Sequence, residues 1–181
     1  ELVPFFYSLA EEAYAGGAPL LDPIGAEASW AGDFRYTLGG ALLVAPILDD
    51  SGVRDVALPA GARWYDWWAG DTAPPVDGGT TLAQYDATDR SRVPLFVREG
   101  AILPMRSSVR VWPGAQPSSF VVHDEDGATT RIDAQATSDG TGATVTFSRV
   151  LAATELRVRL PAGVSVVPVA ASDGPQTLTV P

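Results

Sequence analysis

The stretch ELVPFFYSLAEEAYAGGAPLLDPI, residues 1–24, sets the fold prediction because its hydrophobic period changes along its length. In its first part, apolar side chains recur at spacings of three and four residues, which predicts one amphipathic helix over residues 1–15. The residues on the predicted apolar face are Leu2, Phe6, Leu9 and Ala13. A glycine pair follows at residues 16–17, and it predicts the end of the helix.

The rest of the chain has a β-type pattern. Residues 18–24 predict a short buried strand, and residues 25–33 predict a loop that contains Trp30. From residue 36 onward, short apolar runs bounded by Gly, Pro or Asp recur at the spacing of β-sandwiches. The predicted strands cover residues 41–47, 54–58, 63–68, 81–85, 93–97, 101–103, 109–112, 119–123, 129–133, 143–147, 155–160, 164–169 and 177–180. A polar break at residues 106–108 divides them into two sandwiches.

Composition excludes several classes of protein. The 181 residues carry 12 basic and 22 acidic side chains, for a net charge of −10, so the surface repels phosphate backbones and anionic lipids. No apolar run approaches the roughly 18 residues that a membrane span needs. The absence of Cys excludes disulfides and thiol catalysis. We therefore expect a packed chain with no nucleic-acid and no membrane partner.

The sequence offers few candidates for a metal centre. His123 is the single histidine, which excludes sites built on paired histidines and favours a structural, partly exposed role. An acidic cluster follows at residues 124–127, but an EF-hand that began at Asp124 would place Ala128 and Gln135 at ligand positions. A hairpin turn is the favoured interpretation, and an ion held in another geometry is the alternative. We predict no metal and no organic cofactor.

One carboxylate and one aromatic cluster are candidates for sugar contacts. Asp22 lies within an apolar run, where an unpaired charge is costly, so it either pairs with a cation or faces a substrate. The cluster RWYDWWAG, residues 63–70, would place Trp64 and Trp68 on one face of a strand and Tyr65 and Trp67 on the other. Core or domain-docking contacts are favoured for this cluster over a sugar-stacking platform.

Four blocks of sequence, in order, resemble the C-terminal third of glycoside hydrolase family 31, the α-glucosidase and α-xylosidase family. They are residues 1–24, LGGALLVAPIL at 38–48, LPAGARWYDWWAG at 58–70 and VPLFVREGAILP at 93–104. A fifth and weaker block, SFVVHDEDG at 119–127, resembles an acidic turn of the family's distal β domain.

The resemblance implies a mainly β fold. Residues 1–35 would be the last helix and strand of a (β/α)8 barrel. Two antiparallel β-sandwich domains would follow, a proximal one over residues 36–106 and a distal one over residues 107–181. The chain would then be the C-terminal fragment of a retaining α-glycosidase that hydrolyses terminal α-linked glucose or xylose residues, and its β domains would support the barrel.

The resemblance also implies that this chain holds no catalytic residue. Family members use an aspartate nucleophile and an aspartate acid/base on earlier barrel strands, so the chain alone is expected to be inactive. Its expected partners are the missing N-terminal barrel and, through the intact enzyme, an oligosaccharide or glycoside substrate. Asp22 precedes Pro23 where the family has Arg in an RPL motif, and Asp22 and Trp30 are the candidates for substrate contact.

Two other functions remain open on the sequence. A non-catalytic carbohydrate-binding β-sandwich module would fit the tryptophan content, and a purely structural accessory domain would fit the strand pattern. Neither explains the opening helix. If that helix belongs to a barrel, Phe6 and Leu9 are expected to be less buried than the tryptophan hairpin.

Overall fold

The computed structural model describes residues 1–25, 30–124 and 127–181, with the backbone alone at residues 30 and 31. The described chain forms two compact units. One unit consists of residues 21–99, and the other of residues 1–20 together with residues 100–181. Strands dominate both units, and the predicted mainly β fold is confirmed.

The unit of residues 21–99 is built on an antiparallel sheet. In chain order its elements are β1 (Leu21–Pro23), α2 (Trp30–Asp33), β2 (Tyr36–Leu38), β3 (Leu42–Val44), β4 (Val53–Ala57), β5 (Arg63–Asp66), β6 (Val76–Asp77), β7 (Thr81–Asp86) and β8 (Leu95–Arg98), where α2 denotes the second helix of the chain. The sheet has the order β1-β2-β3-β8-β5-β6, and β4 and β7 form a separate antiparallel pair. The core between them contains Leu43, Val56, Leu58, Trp64 and Phe96.

Trp64 shows why the aromatic hairpin is a core element. Its side chain is 2% exposed, and its indole Nε1 donates a hydrogen bond to the Pro59 carbonyl at 2.9 Å. Strand β5 ends at Asp66, two residues before the predicted end, so Trp67 and Trp68 lie beyond the strand. Trp68 is 37% exposed. The favoured core interpretation is therefore confirmed for Trp64.

The second unit is a sandwich of two four-stranded sheets. Its strands are β9 (Ile102–Pro104), β10 (Ser108–Val111), β11 (Ser118–His123), β12 (Thr129–Ala136), β13 (Ala143–Phe147), β14 (Thr154–Leu160), β15 (Gly163–Val169) and β16 (Gln176–Val180). One sheet has the order β15-β14-β10-β9 and the other β11-β12-β13-β16. Alternate side chains of both sheets form one apolar core. All described pairs are antiparallel except β10 and β14, which run parallel.

The helix α1 (Val3–Tyr14) packs on β11 of this second unit. Phe5 is 0% exposed, and its ring stacks on Phe120 with centroids 5.4 Å apart. Ser8 Oγ donates to the Pro4 carbonyl at 2.7 Å and accepts a hydrogen bond from the His123 backbone N–H at 2.9 Å. The buried face of the helix therefore centres on Phe5 and Ser8.

The predicted apolar face of α1 is not the face that it buries in the described chain. Leu2, Phe6, Leu9 and Ala13 are only half-buried. The buried residues Phe5 and Ser8 lie beside that face. Phe6 and Leu9 are thus less buried than Trp64, although not less than the exposed end of the hairpin at Trp68. The predicted glycine stop is present, since Gly16 has φ +88°.

Residues 18–24 do not form the predicted buried strand. Strand β1 has three residues, Leu21 is 46% exposed and Asp22 is also exposed. The strand lies at the edge of its sheet and pairs with β2 alone, which accounts for this exposure. The predicted loop over residues 25–33 contains α2. Strands β2 and β6 were not predicted, and both have three residues or fewer.

Strand β9 pairs with β10 across the polar break at residues 106–108. The N–H of Gly100 donates to the Trp112 carbonyl at 2.6 Å, and the N–H of Trp112 donates to the Ala101 carbonyl at 2.9 Å. This ladder begins the second compact unit at residue 100, before the polar break. The predicted boundary between two β-sandwich domains at residues 106–107 stays a prediction.

Replacing Phe5 with Ala should destabilise the second unit by about 3 to 5 kcal/mol, because the change removes a fully buried ring. The matched control is Tyr14→Ala on the same helix, where the ring is 91% exposed and the expected change is within about 0.5 kcal/mol. Urea unfolding followed by circular dichroism measures both. Equal losses in the two variants would contradict the observed docking of α1.

Candidate functional site

The two residues predicted to contact substrate lie near the start of the 21–99 unit. Asp22 is in the middle of β1 with its side chain exposed, and its backbone carbonyl accepts a hydrogen bond from Thr37 Oγ1 at 3.5 Å. Trp30 is the first residue of α2, and its side chain lies outside the described residues. Their proposed substrate role therefore stays a prediction.

A charged cluster that the sequence did not predict lies at the end of α2. Arg35 forms a bidentate ion pair with Asp33. Its Nε lies 2.6 Å from Oδ1, and its Nη2 lies 2.7 Å from Oδ2. Arg54, on β4, approaches the same carboxylate with Nη2 3.4 Å from Oδ1. One carboxylate is thus held by two guanidinium groups, and its pair with Arg35 has the strong bidentate form.

The same two arginines also bind backbone carbonyls from different parts of the unit. Arg54 Nη1 donates to the Pro46 carbonyl at 2.6 Å, and its Nη2 donates to the Asp33 carbonyl at 3.1 Å. Arg35 Nη1 donates to the Ala57 carbonyl. The cluster therefore joins the end of α2 to the segment after β3 and to both ends of β4.

The hydrogen bond from Arg35 lowers the pKa of the Asp33 carboxyl below its ordinary value of 3.8. Burial acts in the opposite direction, and the charges of Arg35 and Arg54 add to the lowering. Because the Asp33 side chain is 24% exposed, solvent screens these interactions only in part. Asp33 is accordingly an ionised structural carboxylate at neutral pH and is unsuited to general acid catalysis.

Phe34 lies between the two partners of this ion pair and has an unusual backbone. Its φ is +54°, a left-handed conformation that glycine and asparagine adopt far more readily than an aromatic residue. Its side chain is 50% exposed. The ion pair between residues 33 and 35 spans this residue, so it holds the strained turn closed and directs the ring outward.

A cavity of about 240 Å³ lies beside Phe34. Its lining combines an aromatic ring, aliphatic side chains, two carboxylates and a guanidinium group; the residues are Gly32, Phe34, Pro46, Ile47, Leu48, Asp49, Arg54 and Asp55. Asp49 Oδ1 accepts hydrogen bonds from the Ser51 hydroxyl and from the Ser51 N–H, the latter at 2.9 Å. These two bonds, the hydroxyl first, lower the pKa of Asp49. We name this site the Phe34 cavity.

The end of the aromatic hairpin is also polar. Trp68 Nε1 donates to the Val93 carbonyl at 2.7 Å, and the Arg92 guanidinium carbon lies 5.5 Å from the centre of a Trp68 ring. Tyr85 donates from its hydroxyl to Asp66 Oδ2 at 2.8 Å. Burial, followed by this hydrogen bond, raises the pKa of Tyr85. These contacts hold the end of the hairpin in place.

His123 and Asp124 have structural partners. His123 Nε2 lies 2.7 Å from Glu12 Oε1, and Arg149 Nη2 lies 2.9 Å from Asp124 Oδ2. Strands β11 and β12 pair on either side of residues 124–128, which confirms the predicted hairpin; residues 125 and 126 lie outside the described part. Among the described residues no group of three His, Asp or Glu side chains could hold a metal ion. No described helix is long and apolar enough to cross a membrane.

Comparison with known proteins defines the class of this molecule. Residues 17–103 match the sequence profile described as glycosyl hydrolase family 31 C-terminal domain, which makes the chain a glycoside hydrolase sequence. The chain belongs to family 31, as the resemblance of its four blocks implied.

Among its relatives, the alpha-xylosidase of Saccharolobus solfataricus is 30% identical over 71% of this chain, which corresponds to 19% of that protein. The 1,6-alpha-glucosyltransferase of Sporosarcina globispora is 31% identical over 70% of this chain and 11% of that protein. The chain thus spans less than a fifth of the length of these relatives.

Solved structures share the fold. The cycloalternan-forming enzyme of Listeria monocytogenes, in complex with a pentasaccharide substrate, matches 99% of this chain and 22% of its own with a TM-score of 0.81 and 20% identity. A Flavobacterium johnsoniae family 31 dextranase complexed with glucose matches 99% of this chain and 31% of its own with a TM-score of 0.78 and 18% identity. The succession of sheets described above is therefore a known architecture.

Replacing Asp33 with Asn tests the charged cluster. Because the folded-state pKa of Asp33 lies below the ordinary 3.8, its ion pairs stabilise the unit above that pH, and this stabilisation is lost as the pH falls through the lower folded-state value. We expect Asp33→Asn to lower the free energy of unfolding by about 1 to 3 kcal/mol at pH 7. The difference from the wild type should shrink below about pH 4.

Urea unfolding at pH 7, 5, 4 and 3 measures this dependence. Asp89→Asn is the matched control, because Asp89 pairs with Arg92 in the same unit but both side chains are more than half exposed. Its effect at pH 7 should be much smaller. A loss for Asp33→Asn that did not change between pH 7 and pH 3 would show that the charge of Asp33 contributes nothing.

Proposed function

We propose that this chain is the C-terminal supporting region of a retaining family 31 α-glycosidase that acts on terminal α-linked glucose or xylose. In the intact enzyme, residues 1–35 would be the last helix and strand of the catalytic (β/α)8 barrel, residues 36–106 the proximal β-sandwich and residues 107–181 the distal one. The observation that carries this proposal is the family match over residues 17–103 in a chain that spans 19% of its alpha-xylosidase relative.

The outer surface of α1 supports a role as a docking element. Val3 is 66% exposed, Tyr7 38% and Tyr14 91%, while Phe5 and Ser8 on the opposite side are fully buried. Apolar side chains on both sides of one helix are typical of a helix that lies between two bodies. The proposed second body is the barrel, whose last helix α1 would be.

The placement of β1 rests on the resemblance of residues 1–24 to family 31, while in the described chain β1 pairs antiparallel with β2. Leu21 is 46% exposed at an outer strand of its sheet. In barrels of this class, the carboxyl ends of the strands face the substrate. We therefore propose that Asp22, and Trp30 after it, lie at the rim of the substrate pocket, where the Asp22 carboxylate would accept hydrogen bonds from sugar hydroxyls.

We assign the catalytic residues to the barrel and a supporting role to this chain because of the chemistry of retaining hydrolysis. That reaction needs one carboxylate that attacks the anomeric carbon and a second that protonates the leaving oxygen, at a separation of about 5 to 5.5 Å. The acid–base groups described above are held by structural partners, as His123 is by Glu12. The reacting pair is therefore proposed to come from the barrel.

The names of the relatives suggest the substrate class. One relative is an alpha-xylosidase, another a 1,6-alpha-glucosyltransferase, and a structural neighbour is complexed with a pentasaccharide. The first two names indicate an α-linked sugar, and the third indicates an oligosaccharide. An oligosaccharide or glycoside with a terminal α-linked glucose or xylose is accordingly the proposed substrate of the intact enzyme.

The chain alone should not hydrolyse p-nitrophenyl α-D-glucopyranoside or the matching α-D-xylopyranoside, because the proposed reacting pair is not in it. Release of p-nitrophenol, followed at 405 nm over a day with folded protein verified by circular dichroism, measures this. The positive control is an enzyme that joins this chain to its barrel. Turnover by the isolated chain above a buffer blank would refute the proposed origin of the catalytic groups.

In that joined enzyme, Asp22→Ala should raise KM about tenfold, which corresponds to the loss of one charge-assisted hydrogen bond to substrate. Steady-state kinetics on both glycosides measures the effect. Asp71→Ala is the matched control, since Asp71 is an exposed aspartate in the same unit, and it should leave KM unchanged. An unchanged KM in Asp22→Ala would remove Asp22 from the substrate pocket.

A further inference from the structure

Phe34 and Gln84 are the two non-glycine residues of the described chain with a left-handed backbone, and Phe34 is the aromatic one. It combines a left-handed φ of +54° with a ring that is 50% exposed. Both features cost free energy, and an asparagine or glycine at this position would avoid both. An outlier of this kind indicates a function for the side chain when the surroundings are built to maintain it.

The surroundings of Phe34 do maintain it. The Asp33–Arg35 ion pair closes over the residue with contacts of 2.6 and 2.7 Å, and Arg54 fixes the Asp33 carbonyl from the other side at 3.1 Å. The ring is therefore presented by a rigid turn. Preorganisation of this kind lowers the entropy cost of binding a ligand.

The chemistry of the Phe34 cavity matches a sugar ring. A phenyl face and the aliphatic Leu48 can cover the apolar C–H face of a pyranose, while the carboxylates of Asp49 and Asp55 can accept hydrogen bonds from its hydroxyls. Polar groups dominate this lining, and the Arg54 guanidinium among them is held by the Pro46 and Asp33 carbonyls.

The volume of the Phe34 cavity and the charges of its lining residues restrict the class of ligand further. The volume of about 240 Å³ is below the roughly 300 to 1,000 Å³ of pockets for drug-sized molecules, which corresponds to one ring and not to an oligosaccharide. Two carboxylates against one guanidinium disfavour an anionic ligand. We propose that the Phe34 cavity is a binding site for a single neutral pyranose unit, either free or at the end of a glycan.

This site lies beyond the proposed function. Its lining does not include Asp22, and binding there requires no bond cleavage. It would hold a sugar unit on the 21–99 unit whether or not the proposed earlier strands of the barrel are present. The isolated chain, which is expected to be catalytically inactive, is therefore the right material for the test, and an absence of hydrolysis has no bearing on it.

Titration of the ¹⁵N-labelled chain with methyl α-D-glucopyranoside, followed by two-dimensional NMR, tests the proposal. We expect saturable shifts of the backbone amides that line the Phe34 cavity, among them Gly32, Leu48 and Asp55. The dissociation constant should be about 1 mM, since a ligand of this size gains little free energy per atom. Methyl α-D-glucuronide, which carries a carboxylate, and glycerol should cause no saturable shifts there.

Phe34→Asn should weaken binding at least tenfold and leave the unfolding midpoint unchanged or higher, because asparagine adopts the left-handed backbone readily. Phe34→Tyr should retain binding, as should Tyr14→Ala, which removes an exposed ring from the other unit. Leu48→Trp, at a position that is 66% exposed, should fill the cavity and abolish binding. This variant is decisive if Phe34→Asn does not fold.

Several results would overturn the proposal. One is the absence of saturable shifts with the glucoside in the wild-type chain, and another is a set of shifts centred on Trp68. Binding by Phe34→Asn or Leu48→Trp with wild-type affinity would also refute it. Binding of the glucuronide as tightly as the glucoside would refute the neutral ligand class.

Discussion

The carboxylate of Asp33 is the interaction on which the 21–99 unit depends most. Arg35 and Arg54 both converge on it, and the same arginines reach the Ala57 and Pro46 carbonyls. Three separate segments, residues 33–35, the segment after β3 and strand β4, are thereby joined by one ion-pair cluster. Because hydrogen bonds to charged groups are worth more than neutral ones, a single ion-pair cluster can hold together strands that are only three residues long.

The accuracy with which the sequence predicted each helix or strand depended on how many residues its hydrophobic pattern covered. Strands with clear alternation, such as β13 and β14, were located to within about one residue, since one buried face repeats over several positions. Strands β2 and β6 were missed because a strand of two or three residues is too short to show an alternation of apolar and polar side chains. The α1 helix was found, but its buried face was not, since Ser8 is buried through hydrogen bonds and not through hydrophobicity.

The candidate site shows the same limit more strongly. Asp22 was proposed from its position in a block that resembles family 31, and Trp30 from its place in the loop after that block; both stay predictions. The Asp33–Arg54 pairing joins residues 21 positions apart, and no local pattern reveals such a pairing. The left-handed backbone at Phe34 was equally hidden, because the sequence there contains neither glycine nor asparagine. An acidic residue two positions before an arginine was the one available signal, and it is common on protein surfaces.

The contact between Ser8 and His123 has a consequence for how the chain is made. These residues are 115 positions apart, so α1 leaves the ribosome long before β11 exists. At roughly 5 to 20 residues per second, the wait lasts about 6 to 23 seconds. During this interval Phe5 has no β11 strand to pack against. Its ring must then be covered by residues that have already been synthesised and folded, or it stays exposed to aggregation.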